Sequence, residues 1–379
     1  MATGIYVGVN GVAQKVKKAY VGVNGVAQKV KKAYAGVGGV AKLVYVSEKK
    51  LVKVSPNPDD LSNVRHSLAA TTIGDYALFG GGSNPSTANV DVYNNNLIHS
   101  RPAYDLKTAR GHLSAASTDN IAMFFYGVDY NNNFCKAIEK YDNNLTRSDM
   151  SSYRGYADGS AASTKDRITF GGGYYLDSNS NKVLNFSAST YDINGSYSRS
   201  SDLSEGKYAL ASTSINEYII FAGGRIAGSG GSVYKKTSDA FNSNNTRTIL
   251  TDLQSSREGL AATTIGNYAL FAGGYNQSLV SYVDVYNQNL THSLTTDNLT
   301  ASRYYLNAAN TKNYAIFAGG YSWNLTKVDA YDVNLTHSLL SELDPGRGRM
   351  GATSVGDYAL FAGGVGSSTY KTVEAYTEE

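Results

Sequence analysis

The chain has 379 residues, with 34 Lys and Arg against 31 Asp and Glu, a formal net charge of +3 and one cysteine, Cys135. So even a balance argues against a dedicated nucleic-acid binder, and a lone cysteine excludes an intrachain disulfide framework and a cysteine-built zinc site. No apolar run approaches the roughly 18 residues of a membrane span, and the N-terminus lacks the apolar core of a signal peptide.

The first 45 residues are a tandem repeat. Tyr6-Val-Gly-Val-Asn-Gly-Val-Ala-Gln-Lys-Val-Lys-Lys-Ala19 recurs unchanged from Tyr20 to Ala33, and a shortened copy runs from Tyr34 to Tyr45. Asn10-Gly11 and Asn24-Gly25, flanked by alternating valines, suit the two φ > 0 positions of a type I′ hairpin turn. Residues 1–45 are therefore expected to be an arm of small hairpins with basic outgoing strands, and residues 46–379 a second domain. An isolated hairpin is marginal in water, so the arm is expected to order by pairing with another chain, a homo-oligomeric partner included. The competing reading is a basic, flexible leader.

From Leu51 onward one pattern repeats. Short β-type segments end in glycine pairs at Gly80 to Gly82, Gly171 to Gly173, Gly223-Gly224, Gly273-Gly274, Gly319-Gly320 and Gly363-Gly364, with a degraded copy at Met123 to Gly127. The step of about 44 to 51 residues is that of propeller blades. Leu260 to Leu299 is the clearest unit: strand Leu260 to Ile265, turn Gly266-Asn267, strand Tyr268 to Phe271, strand Tyr282 to Tyr286, turn Asn287 to Asn289, strand Leu290 to Leu294. Four antiparallel strands make a blade. The last copy stops after its third strand, at Tyr376, and Leu51 to Val54 matches the missing fourth. The expected fold is all-β, a seven-bladed propeller closed by one N-terminal strand, which removes both free sheet edges.

The glycine pairs, the aromatic residue closing each third strand (Tyr93, Tyr141, Tyr191, Phe241, Tyr286, Tyr331, Tyr376) and the basic residue before each first strand resemble the kelch motif from Leu51 to the C-terminus. The fourth strand departs from that family, carrying patterns such as Leu290-Thr-His-Ser293 where a tryptophan belongs. The N-terminal repeats resemble those of tail-associated and other structural proteins of phages and prophages. That resemblance implies a virion location, with a tail or other virion protein as the partner of residues 1–45.

Candidate site residues follow from the geometry of a blade. The loops between second and third strands open on one face, and they lengthen at Val128 to Lys136, Tyr174 to Phe186 and Arg225 to Lys236. Variable loops on a rigid scaffold are where binding resides. Asp129, Tyr130, Tyr174, Tyr175, Asp177, Arg225, Tyr275, Tyr321 and Trp323 are the candidates, since aromatic faces beside polar groups suit saccharides and protein epitopes alike. Trp323 reads equally well as local packing. Arg65, Arg110, Arg154, Lys207, Arg257, Arg303 and Arg347 recur before the first strands; they would either ring the channel as a positive mouth or tie each blade to a local carboxylate.

No phosphate loop, nucleophile elbow or zinc-protease segment occurs, and His99, His292 and His337 fall on separate blades, so no catalytic residue, metal or cofactor is assigned. Asp129, Asp177, Glu205 and Glu258 could supply a carboxylate pair for glycoside cleavage. The leading expectation is a non-enzymatic virion protein whose propeller binds a bacterial surface saccharide or protein; the alternative is a cellular or secreted kelch-type glycan-processing enzyme.

Overall fold

The computed structural model describes residues 6–9, 12–15, 20–23, 26–29, 32–37, 40–46, 50–199, 201–228, 231–321 and 325–379. They form strands and no helix, in two compact units, Met1–Leu51 with Glu378–Glu379 and Val52–Thr377. The first unit holds three two-stranded antiparallel sheets: Tyr6–Val9 with Val12–Lys15, Tyr20–Val23 with Val26–Lys29, and Lys32–Val37 with Val40–Val46. Val9 faces Val12 and Val23 faces Val26, the register that a two-residue connection imposes. The Asn-Gly pairs themselves lie outside the described residues.

The second unit is a seven-bladed propeller. Its blades begin with the strands Ala69–Ile73, Ser114–Ser117, Ser160–Ser163, Ala211–Ile215, Ala261–Ile265, Asn307–Asn310 and Gly351–Val355, which pack against one another in a closed cycle. Each blade is a four-stranded antiparallel sheet, and in the seventh the order is Gly351–Val355, Tyr358–Ala362, Val373–Glu378, then Leu51–Lys53 from the opposite end of the chain. The Val54 N–H continues that pairing to the Ala375 carbonyl at 2.8 Å.

The recurrent cations lie beneath the rim, inside the blades. Arg65, Arg110, Lys207, Arg257, Arg303 and Arg347 are 0% exposed, and each meets a carboxylate of its blade's third strand that is itself fully buried. The pairs are Arg65–Asp91 at 2.5 Å, Arg110–Glu139 at 2.9 Å, Lys207–Asp239 at 3.6 Å, Arg257–Asp284 at 2.5 Å, Arg303–Asp329 at 2.6 Å and Arg347–Glu374 at 2.7 Å. The positive mouth is thus corrected in favour of the local tie. An ionised pair in so dry a place depends on further hydrogen bonds to its other lone pairs and N–H groups, and most are made here, the buried Nε atoms of Arg65, Arg257 and Arg303 being without a partner. Asp284, for example, also accepts the Gln254 N–H at 2.7 Å and His292 Nε2 at 2.7 Å, while Arg257 donates to the Phe271 carbonyl at 3.2 Å. The same position explains His99 and His337, which bond Asp91 and Asp329. Burial alone would raise the Asp329 carboxyl, but Arg303 and Thr300 outweigh it and hold it below the ordinary range.

The glycine pair belongs to the same device. The second glycine's N–H donates to the carbonyl of the next blade's cation, as in Gly82 to Arg110 and Gly274 to Arg303 at 2.8 Å, and Gly364 closes the circle on Arg65 at 2.8 Å. The first glycine has φ of +66° at Gly81, and a Cβ there would stand 2.6 Å from the same Arg110 carbonyl. No larger side chain fits that approach without displacing the neighbouring blade.

Blade three departs from this plan, and Arg154 with it. The position occupied elsewhere by the cation is Tyr156, whose carbonyl accepts the Gly127 N–H at 2.8 Å, and Arg154 lies two residues earlier, exposed. Ser189 stands opposite Phe170, where the other blades place their carboxylate. Tyr126 replaces the first glycine of the preceding blade, at φ +54°, and Gly159 replaces the leucine or methionine that follows the cation. An aromatic cluster fills the joint, with Tyr126 4.8 Å from Phe170 and 5.3 Å from Tyr156 between centroids. Cation and carboxylate have gone together, so neither is left without the other at this joint.

Removing one partner of a buried pair leaves the other uncompensated. Asp329→Ala is expected to cost about 3–5 kcal/mol in urea unfolding, and Arg303→Met/Asp329→Ala appreciably less than the sum of the single changes. Equal, additive losses would refute the coupling.

Candidate functional site

Two residues beyond each buried position the chain enters the left-handed region: Ser67, His112, Asp158, Ala209, Gly259, Tyr305 and Arg349 have φ between +50° and +62°. Six of these are not glycine, an uncommon concentration. The conformation turns each N–H toward the preceding blade. Ser67 donates to the Arg349 carbonyl at 2.8 Å, His112 to Ser67 at 3.0 Å, Asp158 to His112 at 3.4 Å, Ala209 to Asp158 at 2.8 Å, Gly259 to Ala209 at 3.0 Å, Tyr305 to Gly259 at 2.7 Å and Arg349 to Tyr305 at 3.0 Å. The bonds close a seven-membered backbone ring around the channel. Its main chain is repetitive; its side chains differ in every blade.

That ring forms the floor of a cavity of about 370 Å³. Two hairpins flank it, Tyr174–Leu176 with Lys182–Leu184 from blade three and Arg225–Gly228 with Gly231–Tyr234 from blade four. Both carboxylates of the mouth are engaged. His112 Nδ1 lies 2.9 Å from Asp158 Oδ1, and Arg225 donates from Nη1 to Glu258 Oε1 at 3.0 Å. Lys182 and Arg349, by contrast, form no ion pair among the described residues and rest on tyrosines. Lys182 Nζ is 4.0 Å from the Tyr174 centroid and 4.4 Å from that of Tyr208; the Arg349 guanidinium carbon is 4.2 Å from Tyr305 and 5.7 Å from Tyr321. Arg349 Nε is buried with no hydrogen-bond partner. With Arg225, these two cations outnumber the nearby carboxylates Asp158 and Glu258, which leaves the mouth a positive balance that favours an anion.

The titratable groups diverge. Burial raises the Glu258 carboxyl, which Arg225 only partly counteracts. Burial would also raise Asp158, but the His112 hydrogen bond and charge, with Arg349 and Lys182, bring it below its ordinary value. Burial, then the charges of Arg349 and His112, lower His66 to about 4. Burial pushes Tyr174 and Tyr305 up to about 12, so their hydroxyls remain neutral donors.

The residues selected from the sequence are dispersed about this site. Tyr174, Arg225, Tyr275 and Tyr321 each follow a glycine pair and bridge the residue after the buried position, Ala157, Tyr208, Glu258 and Tyr304 respectively. Tyr174 and Arg225 line the mouth, Tyr321 lies beside Arg349, and Tyr275 packs between Tyr304 and Tyr234. Tyr175 faces a separate cavity. Asp129 and Asp177 turn back on their own loops: their Oδ1 atoms accept N–H groups of Asn131 and Asn133, and of Asn179 and Asn181, all at 2.9 Å. Tyr130 is 78% exposed at the tip of its loop, and Trp323 lies outside the described residues. Glu205 pairs with Lys235 at 2.7 Å, and Glu258, the only one of the four carboxylates considered for glycoside cleavage that approaches the mouth, is buried behind Arg225 and does not line the cavity.

Asp158, Lys182, Tyr305 and Arg349 escaped the sequence reading. The available signal was variation: two residues after a recurrent cation, the otherwise repetitive blades read Ser, His, Ala, Gly, Tyr and Arg.

The propeller is similar to the solved structure titled "Structure of YjhT", a kelch-repeat protein, with a TM-score of 0.57 and 13% identity over 75% of this chain and 99% of that one. At this identity the likeness concerns the fold. No family model matches the sequence, and no curated protein matches it.

His66 generates a pH dependence. Its folded value near 4 lies below the ordinary 6.5, so between these values the unfolded chain binds the extra proton and stability falls as pH drops from about 6.5 to about 4. His66→Asn should flatten the unfolding free energy over that window, followed by urea titration at successive pH values. An unchanged slope would refute the assignment.

Proposed function

We propose that the chain is a non-enzymatic binding protein of a phage or prophage particle, with residues 1–45 as its attachment to a tail or other virion protein and the propeller mouth as the receptor for an acidic saccharide of a bacterial surface. The observation that carries the reading is the pair of cations outside any direct ion pair, Lys182 and Arg349, each lying on tyrosine rings in a cavity of about 370 Å³. Cationic donors meet a carboxylate with charge-assisted hydrogen bonds, and tyrosine faces suit the C–H faces of a pyranose. The Asn-Gly hairpin repeats support the virion assignment, by resemblance, and a particle protein that recognises a surface needs both parts.

A second reading, a glycan-processing enzyme, is favoured by the opposed displacement of Asp158 in the cavity and Glu258 buried behind its Arg225, because an acid and a base beside one site are the elements of proton transfer. Product formation from acidic oligosaccharides, followed by NMR and abolished in Glu258→Gln, would favour it.

Calorimetry with glucuronate and with glucose separates charge from shape. Glucuronate is expected to bind more tightly, and Arg349→Ala to weaken it by roughly tenfold to a hundredfold, the value of a hydrogen bond to a charged group, with little change in thermal unfolding. Equal binding of both sugars, or an indifferent Arg349→Ala variant, would overturn the acidic-saccharide reading.

A further inference from the structure

Tyr174 and Tyr175 are neighbours on one strand, so their rings leave opposite faces of the blade-three hairpin. Tyr174 lies in the mouth. Tyr175 lines a second cavity, of about 250 Å³, with Lys136, Tyr153 and Arg154. The Arg154 guanidinium carbon is 4.3 Å from the centroid of Tyr175 and 5.3 Å from that of Tyr153, which is 84% exposed. Neither Arg154 nor Lys136 forms an ion pair among the described residues.

The arrangement is built. Gly155 carries the segment of Arg154 across the blade-two loop: a Cβ there would stand 2.2 Å from the Cys135 carbonyl oxygen. Arg154 is outside because it stands two residues before the position of the buried cations, which in blade three is the half-buried Tyr156, with Ser189 in place of the carboxylate. Tyr156 in turn supports Tyr175 edge-on at 6.1 Å. Among the described residues, the one blade that lacks a buried cation–carboxylate pair also presents a cation at the surface, between aromatic rings and beside a second cation.

We propose that this cavity is a second subsite for the same acidic saccharide chain, the chain crossing the blade-three hairpin from the mouth. A uronate residue there presents its carboxylate to Arg154 and Lys136 and its ring face to Tyr153. The inference rests on the reading of the mouth as an acidic-saccharide site and adds a requirement on ligand length. Linking two subsites through one chain makes the second contact intramolecular, so affinity rises steeply once the chain reaches both.

The test is calorimetry of the full chain with oligogalacturonides from monomer to hexamer, beside neutral maltooligosaccharides. Affinity should rise with length by on the order of a hundredfold for the acidic series and not for the neutral one. Arg154→Gln and Tyr175→Ala should each abolish that rise and leave the monomer unchanged, whereas Arg349→Ala should weaken every length. An absent length dependence, or one that persists in Arg154→Gln, overturns the second subsite while monomer binding still upholds the mouth. Equal length dependence in the neutral series overturns its anionic character. Failure of every acidic sugar to bind overturns both readings.

Discussion

One carbonyl oxygen per blade holds the propeller in register. It belongs to the residue whose side chain is the buried cation, and it accepts the N–H of the preceding blade's second glycine. The cation thereby ties its own blade through the side chain and the neighbouring blade through the main chain. Such a residue cannot move without disturbing both. The carboxylate fixes it further, since Asp91, Asp284 and Asp329 each also accept an N–H from the loop that enters the blade, at 2.7–2.9 Å. Hydrophobic contact between blades supplies most of the burial, but it is non-directional. The ionic and hydrogen-bonded module is what specifies one spacing.

The third blade shows which parts of that module are separable. Its main-chain bond survives, from Gly127 to Tyr156, while the ion pair is gone. Four positions changed together: glycine to Tyr126, cation to Tyr156, carboxylate to Ser189, and leucine or methionine to Gly159. The physical reason is mutual dependence. A tyrosine at the glycine position needs the space that the leucine would fill, and a buried cation without its carboxylate would cost several kcal/mol. Replacing the pair by well-packed aromatic rings avoids that cost.

Blade number, strand count and circular closure were legible in the sequence because each rests on local, repeated signals: Gly-Asn turns, glycine pairs, and a fourth strand absent at one end and surplus at the other. The role of Arg65 and its equivalents was legible only as two alternatives. Nothing in a sequence states whether a basic residue before a strand points into a channel or beneath it, and the decision came from carboxylates some 26 to 32 residues away, such as Asp91 for Arg65 and Asp239 for Lys207. Arg154 was misplaced for a related reason. Blade three offers a basic residue near the expected position, while the true equivalent, Tyr156, has changed chemistry. Asp129 and Asp177 misled as exposed acids because their Asx hydrogen bonds to Asn131 and Asn179 depend on loop geometry.

The site escaped notice because it rests on left-handed backbone at residues that are not glycine. Ser67, His112, Asp158, Ala209, Tyr305 and Arg349 adopt that conformation because each N–H is claimed by the carbonyl of the blade before it, a constraint set by the ring and indifferent to the side chain. The same constraint directs six side chains toward one cavity while leaving their identity unrestricted. Architecture and recognition are therefore carried by residues two positions apart: the inner one, buried and paired, can change only in concert with its partners, and the next but one can change alone. A ring built in this way can acquire a new ligand by altering Arg349 or Tyr305 without touching the contacts that close it.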